Sequence, residues 1–414
     1  MKYFAGGDRI PAFVGMTKKL RRCVLNYSLL LMSVALVFII VLGALIFVHE
    51  LGHFLIARRS GMKVEEFGFG FPPRLGGFVW NEEKERHVFI AGNKEVSSPY
   101  TVYSINWIPF GGFVRIKGEN GEGAQDKDSF ASKSAAARIK TLSAGVVMNF
   151  LFAWLLISIV LMLGFPRAID PEEKIDPSKI EVQIAQVVPG TPAADMGAKM
   201  GDTIVSVNGE KLLRVEGVQR IIQESKGKEL TLEVRRGPET LSLHGVPRID
   251  YPENQGALGI ALGEITLARY SFFEAIVQGA VNTWQNTVMM VTGIGMLLGS
   301  LFTWNSAGLS DVSGPLGIAY LTKEVTSLGF VYLLYFTAIL SINLGVLNIL
   351  PFPALDGGRV LFVIIEKIKG SPVSQRVEGM FHQFGFLLLI ILMIAVTVHD
   401  FAKFNIVGKI LGLF

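Results

Sequence analysis

The sequence predicts a polytopic α-helical membrane protein with four transmembrane helices, an inserted α+β domain and a membrane-associated β-hairpin region. Three observations lead there. Half of the 414 residues are hydrophobic and only 18% are charged, a balance suited to a chain that meets lipid as well as water. Residues 23–48, 141–165 and 325–355 contain no Asp, Glu, Lys or Arg, and about twenty apolar residues suffice to cross the hydrocarbon core. Between the second and third of these runs the composition turns to that of a water-exposed domain, with alternating strands and Asn-Gly and Arg-Gly turns.

The elements follow in chain order. Residues 1–22 show no sustained apolar period and read as a tail outside the protein proper, with Met16 a second candidate start. The apolar run behind them is too long for a signal-peptide core, so residues 23–57 are expected as a retained first transmembrane helix. Residues 58–140 form a loop region in which alternation around Tyr103 to Ile116, broken at Gly111 and Gly112, suggests short strands; an irregular loop at the membrane face fits as well. A second span is expected at 141–165 and the soluble domain at 177–264. Residues 270–324 include a long apolar stretch interrupted by Gln278, Asn282, Gln285 and Asn286, a pattern suited to a helix lying on the membrane surface or against protein. The third span is placed within 325–366. The fourth, shorter, spans 384–400 with His382 and His399 at its ends.

A net charge of +4 gives no case for nucleic acid as a partner, and the single cysteine, Cys23, excludes an internal disulfide and a thiolate zinc cluster. The lipid bilayer is the partner that composition itself implies. In the two loops that share a side, Arg58, Arg59, Lys63, Arg138, Lys140, Lys367, Lys369 and Arg376 favour the cytoplasm, whereas Lys18, Lys19, Arg21 and Arg22 argue the other way.

Against this apolar background, "HELGH" at residues 49–53 stands out, because ionisable groups inside a span are costly and default to function. On a helix, His49 and His53 lie four apart on one face and can share a metal, while Glu50 can reach a water beside it. A catalytic zinc site needs a third protein ligand. Asp356, in "NILPFPALDGGRV", follows an otherwise uncharged run and is a candidate; taken alone it also reads as a helix cap or an interfacial aspartate. If spans one to three alternate, one and three run in the same direction, and Asp356 reaches the depth of His49. That agreement requires residues 275–302 not to cross the membrane.

The chain resembles the site-2 protease family of intramembrane zinc metalloproteases, in the bacterial branch that cleaves anti-sigma factors. The resemblance rests on "HELGH", "YSINWIPFGGFVRIKGE", "AGVVMNF", "SGPLGIA" and "NLGVLNILPFPALDGGRVLF". It implies one zinc per chain, held by His49, His53 and Asp356, with Glu50 as the catalytic base. It implies that Asn348, Pro351 and Pro353 hold the substrate backbone, that Gly145 and Asn149 face the active site, and that residues 177–264 form a PDZ domain whose peptide loop is Gly256, Leu258, Gly259 and Ile260. For Asn149, an ordinary interhelical hydrogen bond reads equally well. Gly111 and Gly112 are expected to offer a strand edge to an extended substrate. Some family members carry two PDZ domains; the interval here accommodates one.

The expected substrates are single-span membrane proteins already cut by another protease, an anti-sigma factor foremost and signal-peptide remnants as a further class. The expected location is the bacterial inner membrane, with the active site near the cytoplasmic side and the PDZ domain outside. A competing reading is an inactive membrane scaffold that holds partner tails through its PDZ domain.

Overall fold

The computed structural model describes residues 18–403 apart from 95, 97, 122, 170–174, 213, 238, 253–254, 303–313 and 372. Residues 1–17 of the expected tail and Ser313 of "SGPLGIA" therefore lie outside the described residues. Lys18–Arg22, expected in the tail, open the first helix, α1 (Lys18–Arg59).

Four helices among the described residues are long and apolar enough to cross a membrane: Val34–Arg59 of α1, α2 (Ala135–Leu163), α7 (Phe330–Ile349) and Gln375–Phe401 of α9 (Gln375–Lys403). In α2 the cap is legible in the sequence: the Ser134 side chain accepts from the Ala137 N–H at 3.3 Å, satisfying one orphan donor of the first turn. The helix then buries Leu142, Val146, Ala153, Ile157 and Val160 against its neighbours.

Between α1 and α2 lies an antiparallel sheet of β1 (Val64–Asn81), β2 (Arg86–Ala91) and β3 (Val102–Ile116). The expected hairpin is more elaborate here. Phe67 of β1 pairs with both Val114 and Tyr103 of β3, and Tyr103 pairs in turn with Phe78 further along β1. Each long strand therefore bends and contributes two segments, giving the lateral order 111–116, 64–71, 102–106, 74–81, 86–91. The bends fall at Pro72-Pro73 and near Pro109 to Gly111, where a missing N–H or a positive φ interrupts the ladder. The segment 111–116 is one of the two edge strands, and it lies against α1.

The inserted domain is a six-stranded antiparallel sheet of order β4-β9-β5-β6-β7-β8, built from β4 (Phe165–Ala168), β5 (Ile180–Val187), β6 (Thr203–Val207), β7 (Leu230–Arg236), β8 (Glu239–Gly245) and β9 (Ile260–Ala268). Two helices, α3 (Pro192–Asp195) and α4 (Val215–Glu224), accompany it. Its own core of Val182, Ile184, Val207, Val218, Leu230, Leu232 and Leu258 is fully buried. The sheet reaches beyond the expected bounds of 177–264, because β4 leaves α2 directly and pairs with the end of β9.

Helix α5 (Phe272–Phe302) is absent from the four apolar helices. The Trp154 indole donates to the Ile276 carbonyl at 2.8 Å, the Tyr270 N–H donates to the Leu161 carbonyl, and Met290 and Ile294 join a cluster with Leu334, Tyr335 and Ile339. It thus packs on the C-terminal end of α2 and the N-terminal half of α7. The amides of Asn282 and Asn286 donate to carbonyls one turn back, so the polar stripe is satisfied largely within the helix.

The interval 325–366 holds more than one helix. Helix α6 (Pro315–Leu328) ends before α7 begins, α7 stops at Ile349, and after residues 350–355 the amphipathic α8 (Asp356–Lys369) starts at the aspartate itself. Pro351 and Pro353 cannot continue α7. Gly357 and Gly358 let the loop fold back on α8, since a Cβ on either would strike the carbonyls of Leu350 or Phe352.

Candidate metal centre

His49 and His53 occupy consecutive turns of α1 and are both buried. Their Nε2 atoms are 3.2 Å apart, and Asp356 Oδ2 lies 3.0 Å from one and 3.3 Å from the other. Among the described residues this trio is the one group of three His, Cys, Asp or Glu side chains converging on a common point. The separations match a shared metal: donor atoms about 2.0–2.1 Å from a tetrahedral zinc stand about 3.3–3.4 Å apart. Oδ2 has no aligned hydrogen-bond donor despite being buried, which a cation between the three atoms would resolve.

Groups behind the imidazoles fix which nitrogen faces the metal. His53 Nδ1–H donates to the Thr141 carbonyl at 2.8 Å, leaving its Nε2 lone pair free. His49 Nδ1 lies 3.1 Å from the Asn149 amide nitrogen, and the Asn149 Oδ1 is buried without a partner. With the amide oxygen and nitrogen exchanged, Nδ1–H donates to Oδ1, which satisfies both groups and frees the Nε2 of His49 as well. Asn149 therefore sits behind a candidate ligand, where the sequence left an active-site position and an interhelical bond open. The Ser341 hydroxyl donates to the Asn149 carbonyl at 2.8 Å and ties that turn of α2 to α7.

Gly145 lies directly on the two rings. A Cβ there would collide with His53 Nε2 and stand 2.7–2.8 Å from His49 Cε1 and Nε2. Gly52, within "HELGH", makes a second close approach, for its Cβ would meet the Ala144 carbonyl group and the Met148 side chain. Helices α1 and α2 can thus come near enough for one to supply the ligands and the other their supports. Sequence reasoning missed Gly52 and Thr141. The first was legible as a small residue in a motif; the second acts through its backbone carbonyl, which any residue would supply.

Glu50 is half-buried beside the trio. The edge segment of β3 approaches it: a Cβ on Gly112 would be 3.0 Å from Glu50 Cβ and Cγ, and one on Gly111 would strike Ile46. Asn348 is half-buried in the last turn of α7, while Pro351 and Pro353 lie in the loop leading to Asp356. Arg359 on α8 forms an ion pair with Glu119, just past β3.

Far from the trio in sequence, a cavity of about 410 Å³ opens between α4 and β9, lined by Gln219, Gln223, Gly256, Leu258, Gly259 and Ile260. Gly256 and Gly259 both have positive φ, at 67° and 78°, and turn the chain into β9.

The profile of Peptidase family M50 matches residues 37–392. The chain is 31% identical to the zinc metalloprotease RasP of Geobacillus kaustophilus, over 89% of this chain and 97% of that protein. It is 30% identical to the regulator of sigma-E protease RseP of Escherichia coli, over 88% and 98%. A third relative, described as the putative zinc metalloprotease CA_C1796 of Clostridium acetobutylicum, is 32% identical over 87% and 95%. The alignment to the E. coli protein runs over 462 positions, more than this chain has residues, so that relative carries segments without a counterpart here; the clostridial alignment, at 365 positions, has no such excess. Family match, relatives, apolar helices and donor geometry agree: the chain belongs to Peptidase family M50, the site-2 proteases, in the regulator-of-sigma protease branch, and is a multi-pass membrane zinc metalloprotease.

Proposed function

We propose that this protease hydrolyses peptide bonds in or beside the transmembrane segments of single-span proteins, which bind in extended form along the edge of β3. The observation that carries this reading is the place of Gly112, on an edge strand and against Glu50. A transmembrane helix shields its peptide bonds with its own hydrogen bonds, so a segment must unwind before attack. An edge strand offers the freed N–H and C=O groups new partners and holds the scissile bond in register.

In this reading His49, His53 and Asp356 hold the zinc, which when bound supplies Lewis-acid activation of water and of the peptide carbonyl. Glu50 takes the proton from the attacking water and passes it to the leaving nitrogen. Asn149 and the Thr141 carbonyl keep the imidazoles in the metal-binding tautomer. Asn348 with Pro351 and Pro353 lines the path of the substrate backbone.

The relatives and the architecture together support a substrate class. The E. coli relative is named a regulator of sigma-E protease, and we extend that to an anti-sigma factor already shortened by a first cut, with signal-peptide remnants as a further class. The inserted domain is taken as a PDZ domain on the external side, with the cavity between α4 and β9 receiving a peptide end. The basic residues around Arg58, Arg138 and Lys367 support a cytoplasmic position for the metal end of the spans in the bacterial inner membrane.

Four reconstituted substrates test this: one transmembrane sequence with Gly-Pro or Leu-Leu near the cut, each with a long or a trimmed ectodomain. Gly-Pro and trimming are each expected to raise the cleavage rate, by about tenfold, equivalent to about 1.4 kcal/mol of barrier. Equal rates across the four would reject both the unwinding requirement and the ectodomain filter, and no cleavage at all would favour a scaffold.

A further inference from the structure

Helix α9 is the least buried of the four apolar helices, with 6% of its apolar 18-residue window buried. One of its few inward contacts is made on the loop that delivers Asp356. His382 Nδ1 accepts the Ala354 N–H at 2.9 Å, so the proton of the neutral ring is on Nε2, 3.9 Å from Glu378 Oε1. Ala354 has a φ of 72°, a left-handed conformation that a residue with a Cβ rarely adopts without a partner to hold it. One turn along α9, Gly385 packs directly on Pro353: a Cβ there would collide with the proline ring and lie 2.7 Å from its carbonyl group. The Phe381 and Phe362 rings meet at 5.0 Å and join the same face of α9 to α8.

These contacts converge on residues 353–354, immediately before Asp356. The loop has no regular hydrogen-bond ladder of its own, and an aspartate at its end can meet two fixed imidazoles only if its backbone is fixed too. We propose that His382 is a positioning residue: by accepting the Ala354 N–H it holds the loop in the strained turn that brings Asp356 to the zinc, and Gly385 gives the loop room to seat. The proposal rests on Asp356 being a zinc ligand, so its test separates the two ideas.

The measurement is zinc retained by purified full-length protein across a chelator series, for wild type, His382→Ala, His382→Asn, Gly385→Ala and Asp356→Ala. An asparagine carbonyl can occupy nearly the place of Nδ1 and accept the same N–H. His382→Ala is expected to release zinc at about tenfold lower chelator, the scale on which outer supports of metal ligands act. His382→Asn is expected to restore most of that loss. Gly385→Ala, which leaves His382 intact and presses on Pro353, is expected to weaken retention in the same direction even if the alanine at 382 fails to fold. Zinc lost from Asp356→Ala but held as in wild type by His382→Ala and Gly385→Ala would overturn the proposal alone. Asparagine no better than alanine at 382 would overturn the acceptor role, and zinc fully retained by Asp356→Ala would overturn the ligand assignment beneath it.

Discussion

Glu50→Gln is expected to keep its zinc and to lose peptide hydrolysis by about 10²–10⁴-fold, the range contributed by a positioned general base. The carboxylate is not one of the three converging donors, so the metal has no reason to leave. Glutamine preserves size and hydrogen bonding but cannot take a proton from water. The side chain is half-buried, with Gly112 of β3 close against its Cβ and Cγ. Zinc content by elemental analysis and cleavage of a reconstituted membrane substrate check the two halves. Hydrolysis at the wild-type rate would remove Glu50 from the chemistry, and loss of zinc would make it a ligand or a ligand support.

Gly145→Ala is expected to lower zinc affinity by on the order of 100-fold, at the upper end of what disturbing a metal ligand's surroundings costs. The sign is opposite to ordinary expectation. In a helix interior, glycine to alanine is normally favourable by about 1 kcal/mol, since alanine loses less backbone freedom. Here the added methyl points at His53 Nε2 and at the His49 ring, the atoms that must face the metal. Relief requires α1 and α2 to part, which would open their close contact at Gly52 and Ala144 and pull α2 against its tie to α7 through Ser341 and Asn149. Thermal unfolding with and without chelator is the check: the methyl meets the rings with or without metal, so the zinc-free protein should not gain the stability alanine normally brings, and the zinc-dependent increment should shrink. Wild-type zinc affinity in this variant would show that the rings have slack the structure does not display.

What could be read from the sequence and what could not divides along physical lines. His49 and His53 were legible as candidate ligands, with Glu50 as a candidate base beside them, because metal chemistry depends on side-chain identity and a helix fixes the i, i+4 geometry. Asp356 needed a topological step, the parallel course of α1 and α7, which a uniform uncharged run made possible. The same uniformity hid how the interval 325–366 divides, for the composition of 325–355 does not show that α6 ends at Leu328 or that Asp356 opens a separate α8. The doubly bent β1 and β3 escaped notice because alternation is read along a strand, whereas their bends switch neighbours mid-strand. His382 looked like an interfacial histidine, since its partner is a backbone N–H with no sequence signature. The start of α9 at Gln375, ahead of the expected 384, has a related cause: Arg376, Glu378 and His382 make the first turns polar, although His382 meets the Phe362 ring of α8 and the loop before it.

The most direct test of the centre itself is zinc-edge X-ray absorption on the purified, catalytically competent protein. Two imidazole nitrogens and oxygen ligands at about 2.0–2.1 Å, with total coordination of four to five, are predicted for His49, His53, Asp356 and an open position. Scattering from a sulfur at about 2.3 Å, or fewer than two imidazoles, would contradict the account.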